Sequence, residues 1–250
     1  MEKKHIETFI KKYNLGGTIE GVLWSNNNND LSVTAMTSDR KLFTSVQLEK
    51  AATFFSGIEI GISDTNKLKK MLSPLADNIA LSLDIDENDV TRVRQLIAED
   101  GKIGINYVTA GVDVIDPVPT MKNVPPFTVE IVFTPEFIDA FNKSFGAIDD
   151  KDALFTLIMS KKKQKLEMVL GYKQKNLSDR IAMEVTATAG KDIVKNPISF
   201  SAKHLKEILS ANGEVNNPVL NVSEAGLASI AFNDSGFKSQ YYLVKIDVED

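Results

Sequence analysis

Residues 198–209, Ile198-Ser199-Phe200-Ser201-Ala202-Lys203-His204-Leu205-Lys206-Glu207-Ile208-Leu209, change period partway through. The first three read as a strand. From Ala202 onward, Ala202, Leu205, Ile208 and Leu209 recur at the three-and-four spacing that gathers apolar side chains on one face of a helix, and Asn212-Gly213 supplies the stop. The same plan occurs three more times. Ile6, Phe9, Ile10 and Tyr13 form a stripe that ends at Gly16-Gly17. Leu68, Met71, Leu72 and Leu75 follow Asp64, a predicted N-cap, with Pro74 expected to shorten the helix. Phe137, Phe141 and Phe145 are expected as a buried stripe behind Thr134 as cap and Pro135 at the first helical position. The anchors Ile6, Leu68, Phe137 and Leu205 stand 62, 69 and 68 residues apart. So even a rhythm implies one supersecondary unit, helix plus antiparallel strands, used four times and folded as two paired halves.

Strands are predicted between the helices. The first half carries them at residues 18–24, 31–37, 42–48, 57–62, 79–85, 93–98 and 102–109, with turns at Asn26-Asn27-Asn28-Asn29-Asp30, Ser38-Asp39-Arg40 and Glu99-Asp100-Gly101. Trp24 reads as a core or edge anchor. The second half has them at 128–133, 154–160, 166–172, 180–188, 198–200, 219–223, 227–233 and 239–246, with Lys161-Lys162-Lys163-Gln164-Lys165 as a basic hairpin tip. Residues 113–126 contain Pro117, Pro119, Pro125 and Pro126 and no helical periodicity, so they read as a connector. The expected organisation is a domain over 1–112, a connector over 113–126 and a domain over 127–250.

Composition narrows the function classes. Forty-three per cent of residues are apolar, which allows real cores, and cysteine is absent, which removes disulfides and thiolate metal sites and fits a reducing compartment. No run of about 18 apolar residues and no signal-peptide core occurs, so a soluble, cytoplasmic protein is expected. His5 and His204 are the only histidines, too few for paired-imidazole metal sites and poor material for a Ser-His-Asp arrangement. Neither a GxxxxGK[ST] nor a GxGxxG phosphate loop is present. Asp84-Ile85-Asp86-Glu87-Asn88-Asp89 starts like a calcium loop, but Asp89 replaces the sharp-turn glycine and Gln95 the bidentate glutamate, so it reads as an acidic turn. Asp149-Asp150 could serve acid/base chemistry but sit in a turn with no apolar pocket. The expectation is a chain that is not an enzyme and takes no cofactor or metal.

The formal net charge of −5 argues against simple nucleic-acid binding, but the distribution is uneven. The helical stretches 2–14, 64–77, 135–145 and 202–210 carry +2, +1, −1 and +1, leaving −8 for everything else. If symmetry gathers these helices on one surface, an acidic protein acquires a basic lining.

Several segments resemble DNA sliding clamps. Asn196-Pro197-Ile198-Ser199-Phe200, Leu205-Lys206-Glu207-Ile208-Leu209, Val219-Leu220-Asn221-Val222-Ser223 and Tyr241-Tyr242-Leu243-Val244 look like the last unit of that family. The connector from Ile115-Asp116-Pro117 to Pro125-Pro126-Phe127 is similar to that of the two-domain, PCNA-like clamps of tailed phages. The resemblance implies an α+β clamp fold, two similar domains with helices on one face of the sheets, and a closed homotrimeric ring around duplex DNA. It implies a non-catalytic processivity factor that tethers a replicative DNA polymerase and is opened by a separate ATP-dependent loader, in the host cytoplasm if phage-encoded.

The DNA-facing side chains would be Lys3, Lys4, Lys11 and Lys12 of the first helix, Lys67, Lys69 and Lys70 of the second, Lys143 of the third, and Lys203, His204 and Lys206 of the fourth. Helix three fits least, since Glu136 and Asp139 outweigh Lys143. Subunits would join through residues 103–109 of one copy and 180–188 of the next, by Ile103, Ile105 and Tyr107 against Ile181, Met183 and Val185. A partner peptide would dock beside the connector at Val118, Val124, Pro125, Leu243 and Val244. The alternative is a phage structural or assembly protein that polymerises through the same edges. A scattered, unrecognised hydrolase centred on Asp149 and Asp150 stands third.

Overall fold

A computed structural model describes residues 1–51, 53–121, 123–148, 153–160, 165–173, 179–187 and 196–247. Asp149, Asp150 and most of the basic tip, Lys161 to Gln164, lie outside the described residues. The chain divides into two compact units with interleaved membership: Met1–Thr37, Thr44–Thr120 and Asn233–Ser239 form the first, and Ser38–Phe43, Met121–Phe232 and Gln240–Asp250 the second.

In the first unit α1 (Lys3–Asn14) is followed by β1 (Val22–Asn27), β2 (Asp30–Met36), β3 (Leu42–Leu48) and β4 (Glu59–Ile62). Next come α2 (Thr65–Leu72), β5 (Ala80–Asp86), β6 (Asp89–Glu99) and β7 (Gly104–Val108). The strands run β4-β1-β2-β3 in one sheet and β5-β6-β7 in another. The second unit has β8 (Val129–Val132), α3 (Pro135–Ala147), β9 (Leu154–Met159), β10 (Leu166–Leu170), β11 (Ile181–Glu184), β12 (Thr186–Ala187) and β13 (Ile198–Ser201). Then follow α4 (Ala202–Ala211), β14 (Val219–Ser223), β15 (Leu227–Asp234) and β16 (Phe237–Val244). Here the orders are β12-β8-β14-β15-β16 and β11-β10-β9-β13. Each unit pairs its two helices, α1 with α2 and α3 with α4.

Burial of one helical face explains most of this. Ile6, Phe9, Ile10 and Tyr13 of α1 are fully buried, and Trp24 beneath them is an inner-core residue. The Tyr13 hydroxyl accepts from the Trp24 indole N–H at 3.2 Å and lies 3.4 Å from the Thr65 hydroxyl, which donates to the Glu20 carbonyl at 2.6 Å. A buried polar string of this kind stays inexpensive only when each member has a partner, and this one ties α1 to the start of α2. Three helices begin on side-chain caps: Asp64 accepts from the Lys67 N–H, Thr134 from that of Phe137 and Ser201 from that of His204.

Four details depart from the sequence expectation. α1 is stopped by Leu15, in the left-handed region at φ 47°, and the short helical turn over Leu15–Gly17 delays the first strand to Val22. Of the phenylalanine stripe on α3 only Phe141 is buried; Phe137 stacks on Phe133 with centroids 5.0 Å apart, and Phe145 lies under the Lys206 ammonium, both half-exposed. The strand expected over 180–188 breaks at buried Val185, so that β11 pairs with β10 while β12 pairs with β8. β6 reaches back to Asp89, closing the acidic stretch as a tight hairpin with Asp86 opposite Asp89. Gly61 on β4 is required by a close approach. Ala110 N–H donates to its carbonyl at 2.8 Å, and a Cβ on Gly61 would sit 2.4 Å from the Ala110 oxygen.

Candidate nucleic-acid interface

On each helix the side facing away from the buried stripe is set by the helical period of roughly 100° per residue. On α1 the residues opposite Ile6, Phe9, Ile10 and Tyr13 are Lys4 and Lys11, both exposed. On α2 Lys67 and Lys70 project opposite Thr65, Leu68 and Leu72, with Lys69 exposed at the flank. None of these five lysines takes part in an ion pair among the described residues. Because α1 and α2 pack side by side, the first unit brings these cations onto one helix pair.

Two lysines of α1 do other work. Lys3, half-buried, donates to the carbonyls of Ser73 and Leu75, just past the C-terminal end of α2, where a cation is favoured by the helix dipole. Lys12 is only 1% exposed, its ammonium 5.4 Å above the Phe237 ring. The expectation that Lys12 faces a ligand is corrected: it flanks the apolar stripe, close enough to the sheet for its stem to be covered.

The second unit presents less charge. On α3 the outward positions opposite Phe141 are Asp139 and Lys143, one turn apart and paired at 2.6 Å. Glu136 adds a further negative charge, its pKa held below the usual carboxylate range by hydrogen bonds with its own backbone N–H and the Thr134 hydroxyl. On α4 the outward line is shared by exposed Lys203 and half-buried Glu207. Lys206 is half-buried over Phe145 at 5.0 Å. His204 is buried, 7% exposed, and burial lowers its pKa, so it joins the core side of α4 and does not present its ring as a DNA-facing group.

β7 and β11 each end their sheets among the described residues. The Thr109 N–H donates to the Arg94 carbonyl, so by the antiparallel alternation Ile105 and Tyr107 turn their backbone groups toward β6 while Gly104, Asn106 and Val108 turn theirs outward. On β11 the Val185 N–H reaches the Leu166 carbonyl, which leaves Ala182 and Glu184 facing the open side. Among side chains, Ile103 is 41% and Val108 65% exposed, and Ile105, Ile181 and Met183 are half-exposed. Tyr107 and Val185 are buried. Tyr107 accepts from the Asp64 N–H and donates to the Asp64 carbonyl, which makes it a support of α2 and not an interface side chain. Val108 escaped the sequence reading because alternation alone does not say which parity of an edge strand is covered.

Among the expected groove residues, Val124 is 43% exposed, and Val118, Pro125 and Val244 are half-exposed. Leu243 is 1% exposed, and since successive strand residues face opposite sides, it and Val244 cannot line the same surface. No three His, Cys, Asp or Glu side chains cluster to hold a metal among the described residues.

No family model matches the sequence, and no curated protein does. Solved structures match it along its whole length. Proliferating cellular nuclear antigen (PCNA) from Entamoeba histolytica superposes with a TM-score of 0.71 at 18% identity, over 98% of this chain and 96% of that one. A. fulgidus PCNA, in a structure with the C-terminal region of FEN-1 bound, gives 0.69 at 14% identity over 100% and 98%. PCNA from Thermococcus kodakaraensis gives 0.67 at 11% over 98% and 98%. The chain therefore has the DNA-clamp fold expected from its sequence, mixed helix and antiparallel sheet built from paired units.

Proposed function

We propose that the chain is a sliding clamp. Three copies close head to tail, encircle duplex DNA without reading its sequence, and tether a replicative DNA polymerase, with a separate ATP-dependent loader opening the ring. The observation that carries this reading is the two-way coverage of the structural match: almost all of this chain aligns with almost all of each PCNA chain. The exposed lysines of α1 and α2 supply phosphate contacts of the kind a mobile ring needs, numerous and individually weak. The open edges of β7 and β11 supply backbone donors and acceptors for subunit pairing, Gly104, Asn106 and Val108 against Ala182 and Glu184. A. fulgidus PCNA was solved with the C-terminal region of FEN-1 bound, and by that precedent we assign a partner segment to the connector side of this chain, at Val124, Pro125 and Val244.

Assembly is the direct test. Light scattering at micromolar concentration should give three times the 27.6 kDa chain mass. Asn106→Pro should return it to one chain mass while leaving the helical circular dichroism intact, because proline removes an N–H that points away from β6 and is tolerated on a sheet edge. A wild-type chain that stays monomeric on raising its concentration, or an Asn106→Pro protein that still trimerises, would defeat the ring as drawn.

A further inference from the structure

Resting on the clamp reading, we infer that the phosphate backbone is met by the first unit's helix pair, and that the lysines of the second unit's pair are offset by carboxylates on its own outward lines. The residues standing opposite the buried stripe differ between the two pairs. On α1 they are Lys4 and Lys11, on α2 Lys67 and Lys70: four exposed cations, none of them in an ion pair among the described residues; the one carboxylate a turn away, Glu7, pairs with Lys3 at 3.9 Å. On α3 they are Asp139 and Lys143, bonded at 2.6 Å. On α4 they are exposed Lys203 and half-buried Glu207, one turn apart, with no ion pair between them among the described residues, so that the carboxylate offsets the lysine by proximity alone. The helical stretches of the first unit sum to +3 and those of the second to 0.

The lysines that would blur this division are committed elsewhere. Lys206 sits over Phe145, Lys3 on the Ser73 and Leu75 carbonyls just past α2, and Lys12 under cover near Phe237. An ion pair as exposed as Asp139–Lys143 adds little stability, so its main consequence is electrostatic: it cancels the field that Lys143 would otherwise present to a phosphate. Each subunit then offers one attractive face and one silent face. A ring made this way holds duplex by fewer contacts than its lysine count suggests, which favours sliding.

Equilibrium binding of a short fluorescent duplex by the full chain, followed by anisotropy across a salt titration, tests this. Lys4→Ala, Lys11→Ala, Lys67→Ala and Lys70→Ala combined should weaken binding at about 50 mM salt by at least roughly tenfold and flatten the slope of log K against log salt by close to one for each phosphate no longer neutralised. Lys143→Ala with Lys203→Ala should change affinity by less than about twofold. Asp139→Asn with Glu207→Gln, which removes the carboxylate one turn from each of those two lysines, should tighten binding severalfold and steepen the slope. All three proteins should keep the wild-type assembled mass.

Equal losses from the two lysine sets, or no gain from removing those two carboxylates, would overturn the division of labour while leaving the clamp reading standing. Absence of any salt-dependent duplex binding by the wild-type chain would overturn both.

Discussion

Helices α1 and α3 open the two halves of one plan, yet they are held differently. α1 buries four large apolar side chains completely and closes over Trp24, whereas α3 buries Phe141 alone and leaves Phe137 and Phe145 half-exposed against single aromatic or cationic partners. Outward, α1 shows lysines and α3 a self-paired acid and base. The difference teaches that a repeat of this kind specifies where a helix lies and very little else. Only the stripe is constrained by packing, so anchoring strength and outward charge are free to diverge between copies.

The contrast in anchoring is the easiest to break. Phe9→Ala in α1 should cost about 3–5 kcal/mol, the usual range for deleting a fully buried ring, while Phe137→Ala should cost about 1 kcal/mol because that ring already meets solvent. Denaturation midpoints of the full chain compare the two directly. Equal losses would mean that α3 is as firmly seated as α1.

Helix starts differ in the same way. α2 begins on Asp64, whose backbone N–H and carbonyl are both engaged by the Tyr107 hydroxyl, while the start of α3 rests on the local Thr134 cap. Tyr107→Phe leaves the partly buried Asp64 N–H unpaired, while the Asp64 carbonyl keeps its bond from the Leu68 N–H, an expected loss of about 1–3 kcal/mol. Thr134→Ala should cost about 1 kcal/mol, since water can reach the exposed Phe137 N–H. If Thr134→Ala proves the more damaging, the long-range support of α2 is not what distinguishes the two helices.

These contrasts also mark where sequence reading stops. Stripes, caps and strand alternation are local, so α1, α2 and α4, the caps Asp64 and Thr134, and strands β3 and β14 emerge at or near their observed bounds. The pairing of Asp139 with Lys143 was open to reading too, because the two stand four apart on a helix. Burial of Lys12, the Lys206–Phe145 contact and the Tyr107–Asp64 bonds join residues far apart in the chain, and no spacing rule encodes them. The sheet switch at Val185 was hidden for another reason: residues 180–188 carry one unbroken alternation, and only the competing edges of β10 and β8 divide it.

Acid response gives the smallest expected effect and separates the units by charge chemistry. In the first unit Asp100 accepts backbone N–H bonds from Ala76, Ile103 and Lys102, which lower its pKa from the ordinary 3.8 to about 2. A carboxyl depressed on folding contributes stability that is present above 3.8 and fades as pH falls toward 2, so Asp100→Asn should flatten the acid limb only below about pH 4 and leave the slope above it unchanged. In the second unit His204 has the opposite charge logic. Burial lowers its pKa, Lys203 acts in the same direction, and Asp39 acts against both. The unfolded chain binds this proton near the ordinary 6.5 while the folded chain resists it, so stability is complete above pH 6.5 and declines as pH falls below that value. His204→Gln should flatten the stability profile just below pH 6.5, where Asp100→Asn leaves the slope as it is. Identical profiles for wild type and His204→Gln in that window would show that the imidazole is solvated in the folded chain, and would return it to the exposed side of α4.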